Sequence, residues 1–274
     1  MIKLQAAREF KFPIVAECIT PDIFQAKTMN EIEALKIWEG NKQRRLCQLF
    51  KIEEVKNPSS LESVVIAVYG NVSKVRRIGL HMKNGEIVVN GDVGMHLGEE
   101  MRGGKITVYG NVDSWAGSMM NGGTIEVHGN VRDYLGAPYR GSTKGMHGGK
   151  IVVFGSAGNE AGAWMKKGVV KVYGNAGQFV GFRMRDGTIY VQNDCEARAG
   201  ACMRDGKIVI CGCLQSVLPT FTVDSVKLKV KIEENEMVEG PFYVFLGDLA
   251  EGGYGKLYVS KEKNPQLSCY ERFL

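Results

Sequence analysis

Short apolar segments with strict two-residue alternation recur through the middle of the chain. Seven times a Met is followed three residues later by the pattern Gly-x-aliphatic-x-aliphatic. The glycines of this pattern are Gly85, Gly104, Gly123, Gly149, Gly168, Gly187 and Gly206. Their spacing is constant at 19, except for one interval of 26 between Gly123 and Gly149. Alternate side chains of a strand share one face, so each segment predicts a short β-strand with one apolar side.

The length of the repeat decides between fold classes. A 19-residue unit is shorter than a β-α-β crossover unit, which needs about 30 residues. It fits one coil of a solenoid, in which short strands meet at glycine turns. A single coil cannot bury its apolar face, whereas stacked coils share a core. We therefore expect an all-β chain that forms a right-handed parallel β-helix of about seven coils, with equivalent strands ~4.8 Å apart.

A column of methionines accompanies the repeat. Its members are Met82, Met101, Met120, Met146, Met165, Met184 and Met203. A soft-metal or redox stripe is one interpretation of such a column. Regular spacing at the repeat period favours the other interpretation, in which flexible apolar side chains fill a narrow core.

The two ends of the chain do not repeat, which predicts three segments: an N-terminal extension and cap over residues 1–60, the glycine-repeat β-helix over 61–213, and a capping segment over 214–274. In the first segment, Thr20 before Pro21 predicts a helix start. A capping box from Thr28 to Glu31, followed by apolar residues that include Ile37 and Trp38, predicts a second short helix.

Strands are expected to flank the repeat. Residues 46–55 and 63–69 predict strands that enter the solenoid, and residues 226–232 alternate as a half-exposed strand. Residues 242–259 have the pattern of strand, turn and strand. We expect this segment to cover the open end, because an uncovered end would expose unpaired backbone groups.

The fourth unit carries the insertion that makes its interval longer. The insertion contributes Arg140, Lys144 and His147 among glycines of the stretch 136–149. Insertions in repeat proteins form loops on one face, which is often the binding face. The loop could therefore bind an anion or dock a partner, or it could be a solvated loop.

Composition narrows the function classes. The formal net charge is +5, and no Lys/Arg run is interleaved with aromatic residues, which argues against nucleic acid as a partner. No apolar run has transmembrane length, and the first residues lack the apolar core of a signal peptide. Seven cysteines without disulfide-framework spacing suit a reducing compartment. We expect a cytoplasmic protein without membrane insertion.

Candidate chemistry is sparse. The four histidines show no metal-ligand spacing, and no hydrolase or dinucleotide motif is present. Cys195, Cys202, Cys211 and Cys213 form the only local cysteine cluster, for which small buried thiols are the favoured interpretation. We therefore expect no catalytic, cofactor-binding or metal-ligating residue in the chain, while an ion bound near Cys211 and Cys213 stays open.

Four blocks of sequence carry a resemblance to a known family. They are residues 19–24 with 31–35, the tandem Gly-Asn-Val and Gly-x-x-Met units, residues 138–149, and residues 247–259. The 19-residue units resemble the glycine-repeat domain at the C-terminus of the glutamate synthase large subunit. The end blocks and the insertion make the chain still more similar to the C subunit of formylmethanofuran dehydrogenase.

The resemblance implies a place in one-carbon metabolism. Formylmethanofuran dehydrogenase of methanogenic and related archaea reduces CO2 at a tungsten- or molybdenum-pterin subunit, the first step of methanogenesis from CO2. It then joins the formate to methanofuran at an amidohydrolase-like subunit with a binuclear metal centre, and iron–sulfur subunits complete the complex. The C subunit is implied to be a non-catalytic scaffold. The resemblance further implies that Arg140, Lys144 and His147 contact a partner subunit or the anionic tail of methanofuran.

Two other functions stay open at this point. A similar C subunit belongs to the formyltransferase/hydrolase complex of methylotrophic bacteria, which runs the carrier chemistry without CO2 reduction. A stand-alone carbohydrate-active β-helix enzyme is the third hypothesis. It would require an exterior groove of acidic and basic residues, and the sequence singles out no such set.

Overall fold

Short β-strands make up most of the structure, a computed structural model that describes residues 1–55 and 64–274. The strands are β1 (Ile2–Ala6), β2 (Ile14–Val15), β3 (Lys36–Glu39), β4 (Lys42–Arg45), β5 (Phe50–Glu54), β6 (Val65–Tyr69), β7 (Val75–Arg76), β8 (Glu86–Asn90), β9 (Arg102–Val108), β10 (Gly122–Val127), β11 (Lys150–Val153), β12 (Val169–Val172), β13 (Thr188–Val191), β14 (Lys207–Ile210), β15 (Thr222–Glu233), β16 (Glu236–Gly247) and β17 (Gly255–Ser260). The helices are α1 (Pro21–Gln25), α2 (Met29–Glu33) and 3-10 turns at Leu46–Gln48, Leu249–Glu251 and Pro265–Phe273. No helix in these ranges is long and apolar enough to cross a membrane.

The repeat strands β8 to β14 stack in one large mixed sheet of 13 strands. Its order is β15-β16-β17-β14-β13-β12-β11-β10-β9-β8-β6-β1-β5. In this order, each strand from β17 through β14 to β8, β6 and β1 is parallel to the next. At the two ends, β16 pairs with β17 and β5 pairs with β1 in antiparallel orientation. Equivalent residues pair in register, with Ile87 opposite Ile106 and Ile106 opposite Ile125. The predictions of a mostly β chain and of parallel, in-register repeat strands are confirmed.

A second line of contacts joins successive units away from the large sheet. Single parallel bridges link Val72, Val93, Val112, Val131, Ala157, Ala176, Cys195 and Leu214 in order. A ladder of polar side chains runs beside this line. The Asp92 carboxylate accepts a hydrogen bond from the Asn111 backbone N–H at 2.7 Å, and the Asn111 side-chain oxygen accepts one from the Asn130 backbone N–H at 2.9 Å. Each unit thus also binds the next away from the large sheet.

The methionine column lies in the core. All seven methionines are fully buried. The terminal methyl of Met82 would lie 2.6 Å from a Cβ built on Gly104, one unit further along, and that of Met101 would lie 2.8 Å from a Cβ on Gly123. The pattern glycine therefore leaves the space that the preceding methionine fills. This placement supports the packing interpretation of the column.

The N-terminal segment contains the two predicted helices. The Thr20 hydroxyl accepts the Ile23 backbone N–H at the start of α1, and the Glu31 carboxylate accepts the Thr28 N–H in α2. The extension of the second helix to Ile37 was wrong. After α2 the chain turns back into β3, where Ile37 is buried and pairs with β4 through a turn at Gly40.

Two further expectations for this segment need correction. Residues 46–48 form a 3-10 turn, because the Gln48 side chain accepts the Arg45 N–H and favours a turn over a strand, so the strand begins only at Phe50. Strand β1, which the sequence did not predict, lies between β5 and β6 in the large sheet. The predicted strand at 63–69 starts outside the described residues and is observed from Val65. The predicted boundary between residues 60 and 61 also lies outside them.

The C-terminal segment contains the predicted strands and adds them to the large sheet. Strand β17 pairs in parallel with β14, and the hairpin of β15 and β16 follows in antiparallel order. The hairpin also packs on the side of the sheet away from the methionine core, where it buries Tyr190 and Val209 under Ile232 and Phe242. This segment therefore covers both the last repeat strand and part of one sheet face.

Candidate functional site

The turns that precede the methionines carry a column of chemically varied side chains. Its members are Arg77, His96, Trp115, Tyr134, Glu160, Phe179 and Arg198, and each has a positive φ. Left-handed backbone costs a non-glycine residue about 1–2 kcal/mol. Hydrogen bonds between units impose it here, since the His96 N–H donates to the Ser114 carbonyl at 3.1 Å and the Trp115 N–H to the Asp133 carbonyl at 3.0 Å. The backbone of these turns is thus set by stacking, which leaves their side chains free for other roles.

The insertion loop lies over one end of this column. The His96 and Trp115 rings stack with centroids 5.3 Å apart, and Trp115 stacks on Tyr134 at 4.6 Å. Tyr139 of the loop approaches His96 at 5.4 Å and Trp115 at 5.9 Å. Because these separations lie in the range of favourable aromatic pairs, the loop is held against the column by ring contacts.

A buried charged group lies beside the stacked rings. The Glu99 carboxylate is 3.3 Å from Arg77 Nε and 3.4 Å from His96 Nδ1, and Arg77 also reaches Glu17 at 2.7 Å. Burial raises the pKa of Glu99, and the nearby Arg77 opposes that rise. Burial, together with the charges of Arg77 and Arg76, lowers the pKa of His96 from 6.5 to about 4. His96 is therefore neutral near pH 7.

Among residues 1–55 and 64–274, four buried polar atoms have no aligned hydrogen-bond partner. They are His96 Nδ1, Glu99 Oε2, Trp115 Nε1 and Ser118 Oγ. Leaving such an atom unpaired in the interior costs about 1–3 kcal/mol, so four of them in neighbouring turns mark an unusual place. We call His96, Glu99, Trp115 and Ser118 the polar cluster. Sequence reasoning missed it, although one repeat length separates His96 from Trp115 and also separates Glu99 from Ser118.

The three residues predicted as contacts lie in different surroundings. Arg140 and Lys144 are exposed, whereas His147 is half-buried with Nδ1 at 2.6 Å from the Gly145 carbonyl oxygen. Burial raises the pKa of Glu160, and the charge of Arg140 opposes that rise, which places Arg140 near this carboxylate. Within the described ranges no hydrogen bond or ion pair joins the three predicted residues to one another. The loop presents two exposed cations and one anchored imidazole.

The cysteines do not converge on an ion site. Cys195 is buried, and burial raises the pKa of its thiol to about 12. The Cys213 thiol donates to the Lys263 carbonyl at 3.2 Å, while Cys211 lies against Tyr190. No group of three or more His, Cys, Asp or Glu side chains in the described residues could hold a metal ion.

A pH dependence follows from the buried imidazole. The pKa of His96 is lowered from 6.5 to about 4, so between these pH values the imidazole is protonated in the unfolded chain but neutral in the folded chain. The free energy of unfolding therefore falls as the pH is lowered from about 6.5 to about 4. The loss amounts to about 3 kcal/mol at acidic pH. We expect the difference in free energy of unfolding between wild type and His96→Phe to change by this amount between about pH 7 and pH 4. Urea titrations across the window measure it.

Both chains contain Glu99, so the comparison removes most of its opposite contribution from the difference. A difference that stays constant across the pH window would contradict the buried, neutral state of His96.

The curated relatives to which the chain is similar include C subunits of formylmethanofuran dehydrogenases. Over 90 residues the chain is 43% identical to the C subunit of the molybdenum-containing formylmethanofuran dehydrogenase 1 of Methanothermobacter marburgensis, a match that covers 33% of this chain and 22% of that protein. It is 37% identical over 86 residues to the C subunit of the tungsten-containing formylmethanofuran dehydrogenase 2 of Methanococcus maripaludis, over 31% and 30% of the two chains. The predicted resemblance to these subunits is confirmed.

A solved structure extends the similarity over almost the whole chain. It is the crystal structure of the formyltransferase/hydrolase complex from Methylorubrum extorquens in complex with methylofuran. The TM-score is 0.82 at 27% identity, and the match covers 94% of this chain and 99% of the chain compared. The matches to the curated relatives span only about a quarter of their length. No family model matches the chain.

Proposed function

We propose that the chain is the C subunit of a formylmethanofuran dehydrogenase, in which it acts as a scaffold without an active site of its own. The similarity to C subunits of both molybdenum- and tungsten-containing enzymes carries this proposal. The complex would reduce CO2 with methanofuran to formylmethanofuran, or run the reverse reaction. The chain would work in the cytoplasm.

The proposal includes a coiled architecture. We propose that the large sheet and the line of single bridges are two faces of a right-handed parallel β-helix. Support comes from their shared period, since the pairs Ile87–Ile106 and Val93–Val112 both advance by one repeat length. In this arrangement residues 1–60 and 214–274 cap the two ends of the glycine repeat at 61–213. Such a rod keeps fixed distances between partners that bind along it.

The partners in this proposal carry the chemistry. They are a catalytic tungsten- or molybdenum-pterin subunit, an amidohydrolase-like subunit with a binuclear metal centre, and iron–sulfur subunits. The scaffold contributes surfaces that hold these subunits in a fixed geometry. The insertion loop is one such surface, because Arg140 and Lys144 are exposed and ring contacts of Tyr139 fix the base of the loop.

Omission of one subunit tests the scaffold role. The partner subunits are co-expressed with and without this chain under anaerobic conditions, and the products are separated by size. We expect assembly and formylmethanofuran turnover only when the chain is present, and no turnover by the chain alone. Full assembly and activity without it would refute the scaffold role, and polysaccharide cleavage by the isolated chain would support a carbohydrate-active enzyme instead. Assembly with formyltransferase and hydrolase subunits alone would indicate the methylotroph complex.

The insertion loop gives a sharper prediction in the same system. In an Arg140→Ala/Lys144→Ala variant, we expect either the affinity for the partner or the KM for methanofuran to worsen about tenfold, because charge-assisted pairs are lost. His147→Gln is expected to have a smaller effect, since its ring is tied to the Gly145 carbonyl. The matched control is Lys227→Ala/Lys231→Ala, which removes two exposed cations of β15, outside the loop. Unchanged assembly and unchanged KM in the loop variant would eliminate the loop as a contact.

A further inference from the structure

Three arginines surround a small cavity near the C-terminal end of the repeat. The cavity has a volume of about 70 Å³. Its walls are formed by Trp164, Arg183, Arg185, Cys202, Arg204 and Glu251. These residues come from three successive units and from the 3-10 turn Leu249–Glu251 of the capping segment. The wall residues of the cavity follow both the polar cluster and the insertion loop in the chain, and they share no residue with either.

Backbone hydrogen bonds between units fix the positions of the arginines. The Arg185 N–H donates to the Met165 carbonyl at 2.8 Å, and the Arg204 N–H donates to the Met184 carbonyl at 2.8 Å. The Arg183 N–H donates to the Ala201 carbonyl at 2.9 Å. The backbone at each of the three arginines is therefore held by the stacking of the units. A site built on such elements is more precise than one on a free loop.

An aromatic ring orients two of the guanidinium groups. Arg183 lies 4.9 Å from the centre of the Trp164 ring, and Arg185 lies 5.9 Å from it. Cation–π contact fixes the plane of a guanidinium but uses none of its N–H donors. The Arg185 donors are therefore positioned and still available for a ligand, and Arg183, which also approaches the Cys202 thiol, keeps its remaining N–H donors for one.

Carboxylates do not neutralise this charge. Among the described residues, none lies within ion-pair distance of Arg183, Arg185 or Arg204. The nearby acids accept backbone N–H groups instead. The Asp186 carboxylate accepts a hydrogen bond from the Gly187 N–H at 2.6 Å, and the Asp205 carboxylate accepts one from the Gly206 N–H at 2.7 Å. The Asp248 carboxylate accepts one from the Cys202 N–H at 2.9 Å.

The balance of charge in the cavity wall is three cations against one carboxylate, that of the exposed Glu251. Planar guanidinium forks match the oxygens of carboxylate and phosphate groups. The cavity volume of about 70 Å³ is several times the roughly 10–15 Å³ of cavity space that one water molecule needs. The cavity therefore has room for one oxyanion group.

We propose that Arg183, Arg185 and Arg204 form a binding site for a single oxyanion group, either free phosphate or the carboxylate of a small molecule. The site does not depend on the function proposed above, because it is defined by this chain alone. Binding would place the anion between two repeat units and the capping segment, and so would hold the C-terminal end of the repeat together.

Calorimetric titration of the purified full chain with inorganic phosphate and, separately, with glutamate tests the proposal at low ionic strength. We expect saturable binding of at least one of them with one site per chain, weakened by added salt. Binding of phosphate alone identifies phosphate as the source of the oxyanion, and binding of glutamate alone identifies a carboxylate. Saturation by neither at tens of millimolar would overturn the proposal.

Variants locate the site. Arg183→Gln/Arg204→Gln is expected to bind at least about tenfold more weakly, whereas Glu251→Gln is expected to bind more tightly because it removes the opposing charge. The matched control is Arg102→Gln, which occupies the same position of an earlier unit as Arg204, lies outside the cavity wall and should bind like wild type. Thermal melting curves establish that each variant is folded. Equal weakening by Arg102→Gln and by the double variant would show general charge attraction and overturn the site.

Discussion

Alanine at Gly104 will destabilise the chain by about 4 kcal/mol, whereas alanine at Gly141 will cost about 1 kcal/mol. Both glycines have a similar left-handed backbone, with φ of +79° and +85°. A Cβ at Gly104 would lie 2.6 Å from the Met82 methyl and 2.7 Å from the Gly85 carbonyl oxygen, while a Cβ at Gly141 meets nothing within 4 Å. The backbone oxygen belongs to the neighbouring unit and cannot move without disturbing the stack. Equilibrium urea unfolding of both variants gives the two free energies.

The pair separates two causes that usually occur together. The conformational cost of a positive φ is common to both sites, so the excess at Gly104 reports the close approach of stacked units. Equal costs at the two positions would mean that the glycines serve turn geometry alone, and that the Met–Gly packing does not limit the spacing of the units.

Replacing Glu233 and Glu236 together by glutamine will destabilise the hairpin of β15 and β16 by about 3–5 kcal/mol. Both carboxylates bind the ammonium group of Lys171, whose side chain is only 3% exposed on the covered face of the sheet. Burial alone would lower the pKa of Lys171, but the hydrogen bonds to Glu233 and Glu236 outweigh it and raise this pKa. Without them a buried cation is left uncompensated. Urea unfolding and hydrogen exchange of the amides in β15 and β16 measure the loss.

Two controls make this prediction specific. Glu239→Gln breaks an ion pair with Lys229 that has similar geometry, at 2.8 Å, but is exposed, so a cost below about 1 kcal/mol is expected. Adding Lys171→Met to the double variant removes the uncompensated charge and should recover most of the lost stability. If the double variant is no less stable than Glu239→Gln, Lys171 is solvated and the hairpin is not held by this contact.

The repeat strands could be predicted because their signal is local and repeated. A glycine followed by alternating aliphatic residues specifies a strand within a short window, and the fixed spacing specifies its partners. The two short helices were predictable for the same reason, since Thr20 with Pro21 and Thr28 with Glu31 are complete capping signals.

The elements that escaped prediction depend on distant partners. Strand β1 becomes a strand by pairing with β6, which lies beyond the whole N-terminal segment in the sequence. Ile37 follows a helix signal, but its burial in β3 comes from pairing with β4 and β2. A prediction that the hairpin of β15 and β16 covers Lys171 would require knowing which face of the large sheet the rest of the chain leaves uncovered. None of these contacts leaves a pattern within a short window of sequence.

The candidate site was only half visible in the sequence. The insertion identified the loop with Arg140, Lys144 and His147, because it interrupts a strict period. The polar cluster remained hidden, since His96 and Glu99 come from one unit, Trp115 and Ser118 from the next, and Tyr139 from the loop that covers them. Residues one repeat length apart become neighbours only when units stack, so columns at that spacing should be inspected for polar residues in any chain of this kind.

The measurement that tests the central claim most directly is affinity purification of this chain from its native host under anaerobic conditions, followed by mass spectrometry of the proteins that stay bound. The scaffold account predicts recovery of a pterin-metal subunit and an amidohydrolase-like subunit in fixed ratio with this chain. Recovery of the chain alone would contradict that account.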